Sequence, residues 1–257
     1  PDQAQDLAKI VADLISEFDH NYSRFRPDSW LSMASKNPGS HKAPADFAKL
    51  FEFYSAMYKA TDGLVTPLIG DALERAGYDA KYSLRPKTMR KIPKLEEAME
   101  FSDNTLHVKY SCVIDVGAAG KGYLVDILGA ELKRQGISNF VIDAGGDILH
   151  HSPAPAKTTP VGLEDPENLE KVIGQVDLGN GSICGSAGNR RKWSSKNKKY
   201  NHIINPHTLQ SVTDVKAVWV VAKTAMLADG LSTCLFFVGP KSLGHFDFEY
   251  LRIMEDN

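Results

Sequence analysis

The chain has no apolar run approaching the roughly 18 residues of a membrane span. Its start, Pro1-Asp2-Gln3-Ala4-Gln5-Asp6, has neither the basic opening nor the apolar stretch of a signal peptide. A soluble chain is expected. The first residue is not Met, which leaves open the removal of an upstream signal or lipid anchor. Cysteine is scarce: Cys112, Cys184 and Cys234 are odd in number, far apart and without a Cys-x-x-Cys pair. That argues against a disulfide scaffold and fits a cytoplasmic setting slightly better than an extracytoplasmic one. His20, His41, His107, His150, His151, His207 and His245 show no metal spacing with Cys or carboxylates, so a structural zinc site is unsupported. Charge of one sign is not in excess either. Thirty Lys plus Arg against 32 Asp plus Glu give a formal charge of -2, which argues against a surface built for nucleic acid.

With no internal repeat and no low-complexity linker, a single domain over residues 1–257 is the simplest count. The composition, 42% hydrophobic and 24% charged, is that of a globular chain long enough to bury a core and a pocket. Residues 4–18, apolar at Leu7, Ile10, Val11, Leu14, Ile15 and Phe18, have the spacing of a helix lying on a core. A second helix is predicted over 45–59, stopped by Thr61-Asp62-Gly63, and a short third over 68–76, with loop at 85–94. Two helices thus precede any clear strand. Residues 106–110 and 112–116 read as strands, the second ending at a Gly-rich turn before a helix at 124–135. Strands at 140–143, 172–178, 182–184, 202–204 and 217–222 follow, with a tight turn at Gly145-Gly146 and a helix from about 224 to 237.

Four segments can carry chemistry, and each has a plain structural alternative. Asp115-Val116-Gly117-Ala118-Ala119-Gly120-Lys121-Gly122-Tyr123 is a turn of small residues before a helix, where backbone amides and Lys121 can meet a phosphate. It matches neither the P-loop nor the dinucleotide pattern, and a tight turn with a solvated lysine is the alternative. Asp229 and Thr233, four apart, share a helix face and offer oxygen ligands to a hard cation such as Mg²⁺. A carboxylate held by backbone amides, with Thr233 bonded to its own helix, is the other reading. His202, in Tyr200-Asn201-His202-Ile203-Ile204-Asn205-Pro206, can take a proton from a hydroxyl at neutral pH, or serve only as a structural hydrogen-bonder. Residues 190–199 hold Arg190, Arg191, Lys192, Lys196, Lys198 and Lys199, which suit phosphate or an acidic protein face, or else a solvated hairpin loop.

In order, these segments resemble the ApbE family of flavin transferases. The matching stretches run from Tyr22-Ser23-Arg24-Phe25-Arg26-Pro27-Asp28-Ser29 through Thr61-Asp62-Gly63 and Thr66-Pro67-Leu68-Ile69-Gly70 to residues 115–126. They continue through Asp143-Ala144-Gly145-Gly146-Asp147-Ile148, Val161-Gly162-Leu163-Glu164-Asp165-Pro166, 186–191, 202–206 and 228–233. The resemblance implies a Mg²⁺-dependent FAD:protein FMN transferase. Such an enzyme cleaves FAD, joins FMN by a phosphodiester to a Ser or Thr hydroxyl of an acceptor protein, and releases AMP. The family's metal ligands fall on the Ala118 carbonyl, Asp229 and Thr233, and its flavin and nucleotide contacts on Phe25, Leu64, Val65, Thr66, Asp115, Lys121 and Ile203. His202 matches the residue that activates the acceptor hydroxyl, with Asp229 the other residue of the reaction. The implied fold is α+β or α/β, one domain with mixed, largely antiparallel sheets flanked by helices and the FAD cleft between its halves.

This chain departs from the family at Gly63-Leu64, where Pro-Thr is common, at Thr66 for Gly, at Asn205 for Asp, and at Gly120 for Ala. The strand that usually precedes the first helix is absent, and no acceptor-like tract suggests self-modification. An FAD pyrophosphatase with the same site, and a flavin-binding protein without catalysis, are the competing readings; nucleic-acid binding through 190–199 is a poor match to the balanced charge.

Overall fold

The computed structural model describes residues 2–189, 191–195 and 198–255. Helix α1 (Asp2–Tyr22) runs past the predicted end because its stripe continues from Phe18 to the buried ring of Tyr22, and both rings stack edge-on. Two short elements then correct the expectation that only helices come first. They are α2 (Trp30–Lys36), capped where the Ser29 hydroxyl accepts from Ser32 N, and β1 (Gly39–Lys42). Neither is long enough to show a period. Helix α3 (Phe47–Ala60) buries Phe47, Leu50, Tyr54 and Met57. After a single 3₁₀ turn (Pro67–Ile69), α4 (Gly70–Ala76) ends at Gly77, whose φ of 103° is one that glycine tolerates without strain.

Helix α5 (Leu95–Ala98), β2 (Met99–Ser102) and β3 (Thr105–Val108) come next, and β1, β3 and β2 form one small sheet in that order. Helix α6 (Gly120–Arg134) leads to β4 (Phe140–Asp143), β5 (Ile148–His151), β6 (Thr159–Glu164), β7 (Val172–Leu178) and β8 (Gly181–Ala187). Then follow β9 (Lys192–Ser195), β10 (Lys198–Asn201), β11 (Ile204–Asn205), β12 (Gln210–Ser211) and β13 (Val215–Ala222). Helix α7 (Ala225–Cys234), a 3₁₀ turn (Pro240–Leu243) and β14 (Phe248–Met254) complete the order.

The main sheet has the order β14-β13-β8-β5-β4, and β6–β7, β9–β10 and β11–β12 are separate two-stranded pairs. Every described pairing is antiparallel, so the sheets are not mixed and the class is α+β. Helix α7 packs on β8 and β13 and against α6. Val218, Val220, Leu231 and Leu235 are wholly buried where helix meets sheet, each stabilising the fold by roughly 1.5–3 kcal/mol. All three cysteines are free thiols.

Three further expectations are corrected. Residues 112–116 are not a strand: Cys112 N donates to Ser35 O at 2.8 Å and Asp115 N to Pro67 O at 2.7 Å, so this apolar run is a strap bonded to the end of α2 and to the 3₁₀ turn. Helix α6 starts at Gly120 and not 124, which puts Lys121 in its first turn. The strand expected at 202–204 shrinks to Ile204–Asn205, leaving His202 in the bend after β10.

Candidate active site

A cavity of about 650 Å³ opens between α6, α7 and β8 on one side and the loops around residues 25, 64–66 and 202–204 on the other. Phe25, Leu64, Val65, Thr66, Asp115, Ala118, Lys121, His202, Ile203, Asp229 and Thr233 all line it. The residues singled out in sequence, spread from 25 to 233, therefore share one space. A second depression of about 910 Å³, lined by Phe51, Lys59 and His245 among others, is more open and contains none of them.

The helix wall is set by a close approach of α6 to α7. A side-chain carbon at Gly122 would overlap the Ala225 carbonyl and stand 2.8 Å from Asp229 Cβ, so only glycine fits there. The freed Gly122 amide donates to Asp229 Oδ2 at 2.9 Å, a bond between residues 107 positions apart. Asp126, one turn along α6, accepts from Ala225 N at 2.8 Å and Met226 N at 2.9 Å and so caps α7. Ser186 and Ser232 hydroxyls lie 2.7 Å apart, and Ser232 Oγ donates to the Asp229 carbonyl. Asp229 and Thr233 are thereby held on one face, as their spacing predicted.

Burial, and next the neighbouring Asp147 carboxylate, push Asp229 well above the usual carboxylate range. Burial also raises Asp147, against the pull of Lys121. Lys121 Nζ lies 3.0 Å from Asp147 Oδ2, yet neither oxygen of Asp147 has an aligned hydrogen-bond donor among the described residues. Two buried carboxylates thus share one lysine, which leaves room for a further positive charge. The Thr233 hydroxyl makes no hydrogen bond within the described protein. Among the described residues no three His, Cys, Asp or Glu side chains cluster as metal ligands. The donors here are oxygens of mixed kind, suited to a hard cation whose remaining places go to water or phosphate.

The turn before α6 is pinned from two sides. Asp115 Oδ1 accepts from Gly117 N at 2.7 Å, and Oδ2 accepts from the buried Arg24 Nε. Tyr54, wholly buried on α3, accepts from Ala118 N at 3.0 Å. Asp115 is therefore as much a brace for the turn as a wall of the cavity. Arg24 also donates to Tyr78 O at 2.9 Å and lies over the Phe25 ring at 4.1 Å.

On the facing side Phe25 and Tyr78 line the cavity, with further rings behind them. Phe25 meets Tyr78 edge-on and stacks on Tyr82, while Tyr78 stacks on Trp193 and Trp193 on Tyr200. His202 packs against this group, 6.3 Å from Tyr78 between ring centres, and its buried Nδ1 has no hydrogen-bond partner among the described residues. Burial, then the Arg191 charge, lower its pKa to about 4, so the imidazole is uncharged at neutral pH. Thr66 Oγ1 accepts from Leu68 N and starts the 3₁₀ turn. Asn205 Oδ1 accepts from His207 N and Thr208 N at 2.9 and 3.1 Å, a turn contact for which an amide serves as well as a carboxylate.

Arg24, Tyr54, Tyr78, Asp126, Asp147, Ser186 and Arg191 were not singled out as site residues in sequence. Arg24, Asp126, Asp147, Ser186 and Arg191 fell inside stretches that carried the resemblance; Tyr54 and Tyr78 had no such signal. In the basic segment, Arg190 and Lys196 lie outside the described residues.

Known proteins resemble the chain over most of its length. The chain is 23% identical over 249 residues to the FAD:protein FMN transferase of Rhodobacter capsulatus, covering 92% of this chain and 47% of that one. It is 30% identical over 131 residues to that of Klebsiella pneumoniae, half of this chain and 37% of the other. The chain thus matches less than half the length of either relative. The crystal structure of the ApbE protein of Thermotoga maritima superposes with a TM-score of 0.83 at 23% identity, over 97% of this chain and 86% of that one, a likeness of fold. The ApbE family pattern itself matches residues 2–246, across both walls of the cavity, and the chain belongs to the ApbE family.

Proposed function

We propose that this protein is an FAD:protein FMN transferase. The supporting observation is that oxygen donors, a lysine and an uncharged histidine meet in one cavity with an aromatic wall opposite the charged one. In this reading Mg²⁺ is held by the Asp229 carboxylate, the Thr233 hydroxyl and the Ala118 carbonyl, and supplies neutralisation of pyrophosphate charge. Lys121 adds its ammonium at the same end of the cavity. The aromatic wall takes a flat ring of FAD and excludes water from it. His202 accepts the proton of an acceptor Ser or Thr hydroxyl, for which an uncharged imidazole is required. The hydroxyl oxygen bonds to the FMN phosphorus, the bond from that phosphorus to the AMP oxygen breaks, and AMP leaves with the electron pair. His202 then returns its proton to AMP or solvent. Water in place of the hydroxyl yields FMN and AMP.

The test is incubation of purified protein with FAD, with and without Mg²⁺, followed by chromatography of the nucleotides. Mg²⁺-dependent AMP is expected, rising when a protein acceptor is added. Failure to bind FAD would overturn the reading.

A further inference from the structure

Hairpin β9–β10 carries charge that the reaction above does not use. Lys192, Lys198 and Lys199 are exposed, and none forms an ion pair among the described residues. Their hairpin is nevertheless fixed. Trp193 pairs across it with Tyr200, is buried between Tyr200 and Tyr78, and donates its indole N–H to Ala76 O at 3.0 Å. Side chains alternate along a strand, so Lys192 and Lys199, which pair with Asn201 and Ser194, stand on the face opposite Trp193. One face is anchored to the protein and the other presents cations.

Both roots of the hairpin reach the cavity. Arg191, just before β9, and His202, just after β10, line it, whereas Lys192 and Lys199 do not. The lysines are therefore placed outside the space that FAD fills, beside the residue that receives the hydroxyl proton. We infer that the outer face of β9–β10 is the docking ledge for the acceptor protein, and that it holds an acidic segment flanking the Ser or Thr to be modified. This rests on the transferase reading. Charge complementarity selects the occupant: exposed lysines with no ion pair among the described residues, on one face of a fixed hairpin, draw an acidic polypeptide.

The test uses two fluorescein-labelled peptides around one Thr, one flanked by Asp and Glu and the other by Asn and Gln. They are followed by anisotropy against the full protein and its Lys192→Glu/Lys199→Glu variant. The acidic peptide should bind about 10-fold more tightly than the amide peptide at low ionic strength, the sum of two modest rim contacts. That preference should shrink to about 2-fold near 0.5 M salt, where screening is short-ranged. In the variant the preference should vanish while AMP release from FAD without peptide is unchanged. Equal binding of the two peptides, or a preference that survives in the variant, would overturn the ledge even if FAD is cleaved. Equal peptide binding together with salt-sensitive sedimentation on phosphatidylserine vesicles would assign these lysines to a lipid surface instead. If FAD is neither bound nor cleaved, the transferase reading itself has failed.

Discussion

The two walls of the cavity are built differently. On one, charged groups stand on α6 and α7, two helices so close that Gly122 touches Ala225, and cross-bonded through Asp126 and Asp229. On the other, Phe25, Tyr78 and Tyr82 stand on irregular chain, backed by Trp193 and Tyr200 of the β9–β10 hairpin, and Tyr82 (47°) and Leu84 (52°) have left-handed backbone. Charge positioning tolerates little displacement, because its strength falls with distance and misplaced dipoles must reorganise. Ring stacking is broad in geometry and accepts a softer support. The helix wall is therefore expected to govern turnover and the loop wall affinity.

The sharpest break of this contrast is Asp229→Ala. FAD cleavage should fall about 10³-fold while circular dichroism shows a folded chain, since an electrostatic contact in a buried site is lost. Cleavage at the wild-type rate would remove Asp229 from the reaction.

His202 sits on the loop wall, yet the proposed reaction gives it the hydroxyl proton, so it tests the boundary. His202→Ala should slow transfer to an acceptor about 10²-fold and spare FAD binding measured by flavin fluorescence. Its titration gives a second reading through stability. An unfolded histidine gains a proton near its ordinary value of 6.5, the buried one only near 4. Between these values the unfolded chain binds more protons, so stability falls as pH drops through that window, by about 3 kcal/mol in all. Urea unfolding at pH 7 and 4 should show that slope, and His202→Gln should reduce it.

Gly122→Ala should cost about 1–3 kcal/mol in urea unfolding, because the new carbon forces α6 from α7. It should lower cleavage as well, through the displaced Asp229. On the facing wall, Tyr82→Ala removes only a half-exposed ring stacked on Phe25. FAD affinity should weaken about 2–10-fold, with kcat and the unfolding midpoint unchanged. A larger loss of kcat from Tyr82→Ala than from Gly122→Ala would reverse the assignment of the walls.

The helix wall was the more legible one in sequence, for a physical reason. A spacing of four fixes Asp229 and Thr233 on one face of any helix, and a small-residue turn before a periodic stretch marks where α6 begins to within a turn. Arg24, Tyr54 and Asp147 could not be read that way, because each is a polar or charged group buried only by partners far along the chain. Arg24 meets Asp115 across 91 positions and Tyr54 meets Ala118 across 64. The strap at 112–116 was read as a strand because an apolar run looks the same whether its amides join a ladder or, as here, Ser35 and Pro67. Short elements such as α2, β1 and the β9–β10 pair carry too few residues for a period, although the basic segment's alternative reading as a hairpin agrees with the structure.

The bond from Gly122 to Asp229 also orders events in time. Its ends are separated by 107 residues, so closing that loop is entropically slow and cannot begin until most of the chain has been synthesised. A nascent chain that has emerged only through α6 carries Lys121 and the Ala118 turn but lacks the Asp229 carboxylate to which Gly122 donates. The helix wall is thus incomplete while the chain is being made, and it closes in one late step when α7 docks.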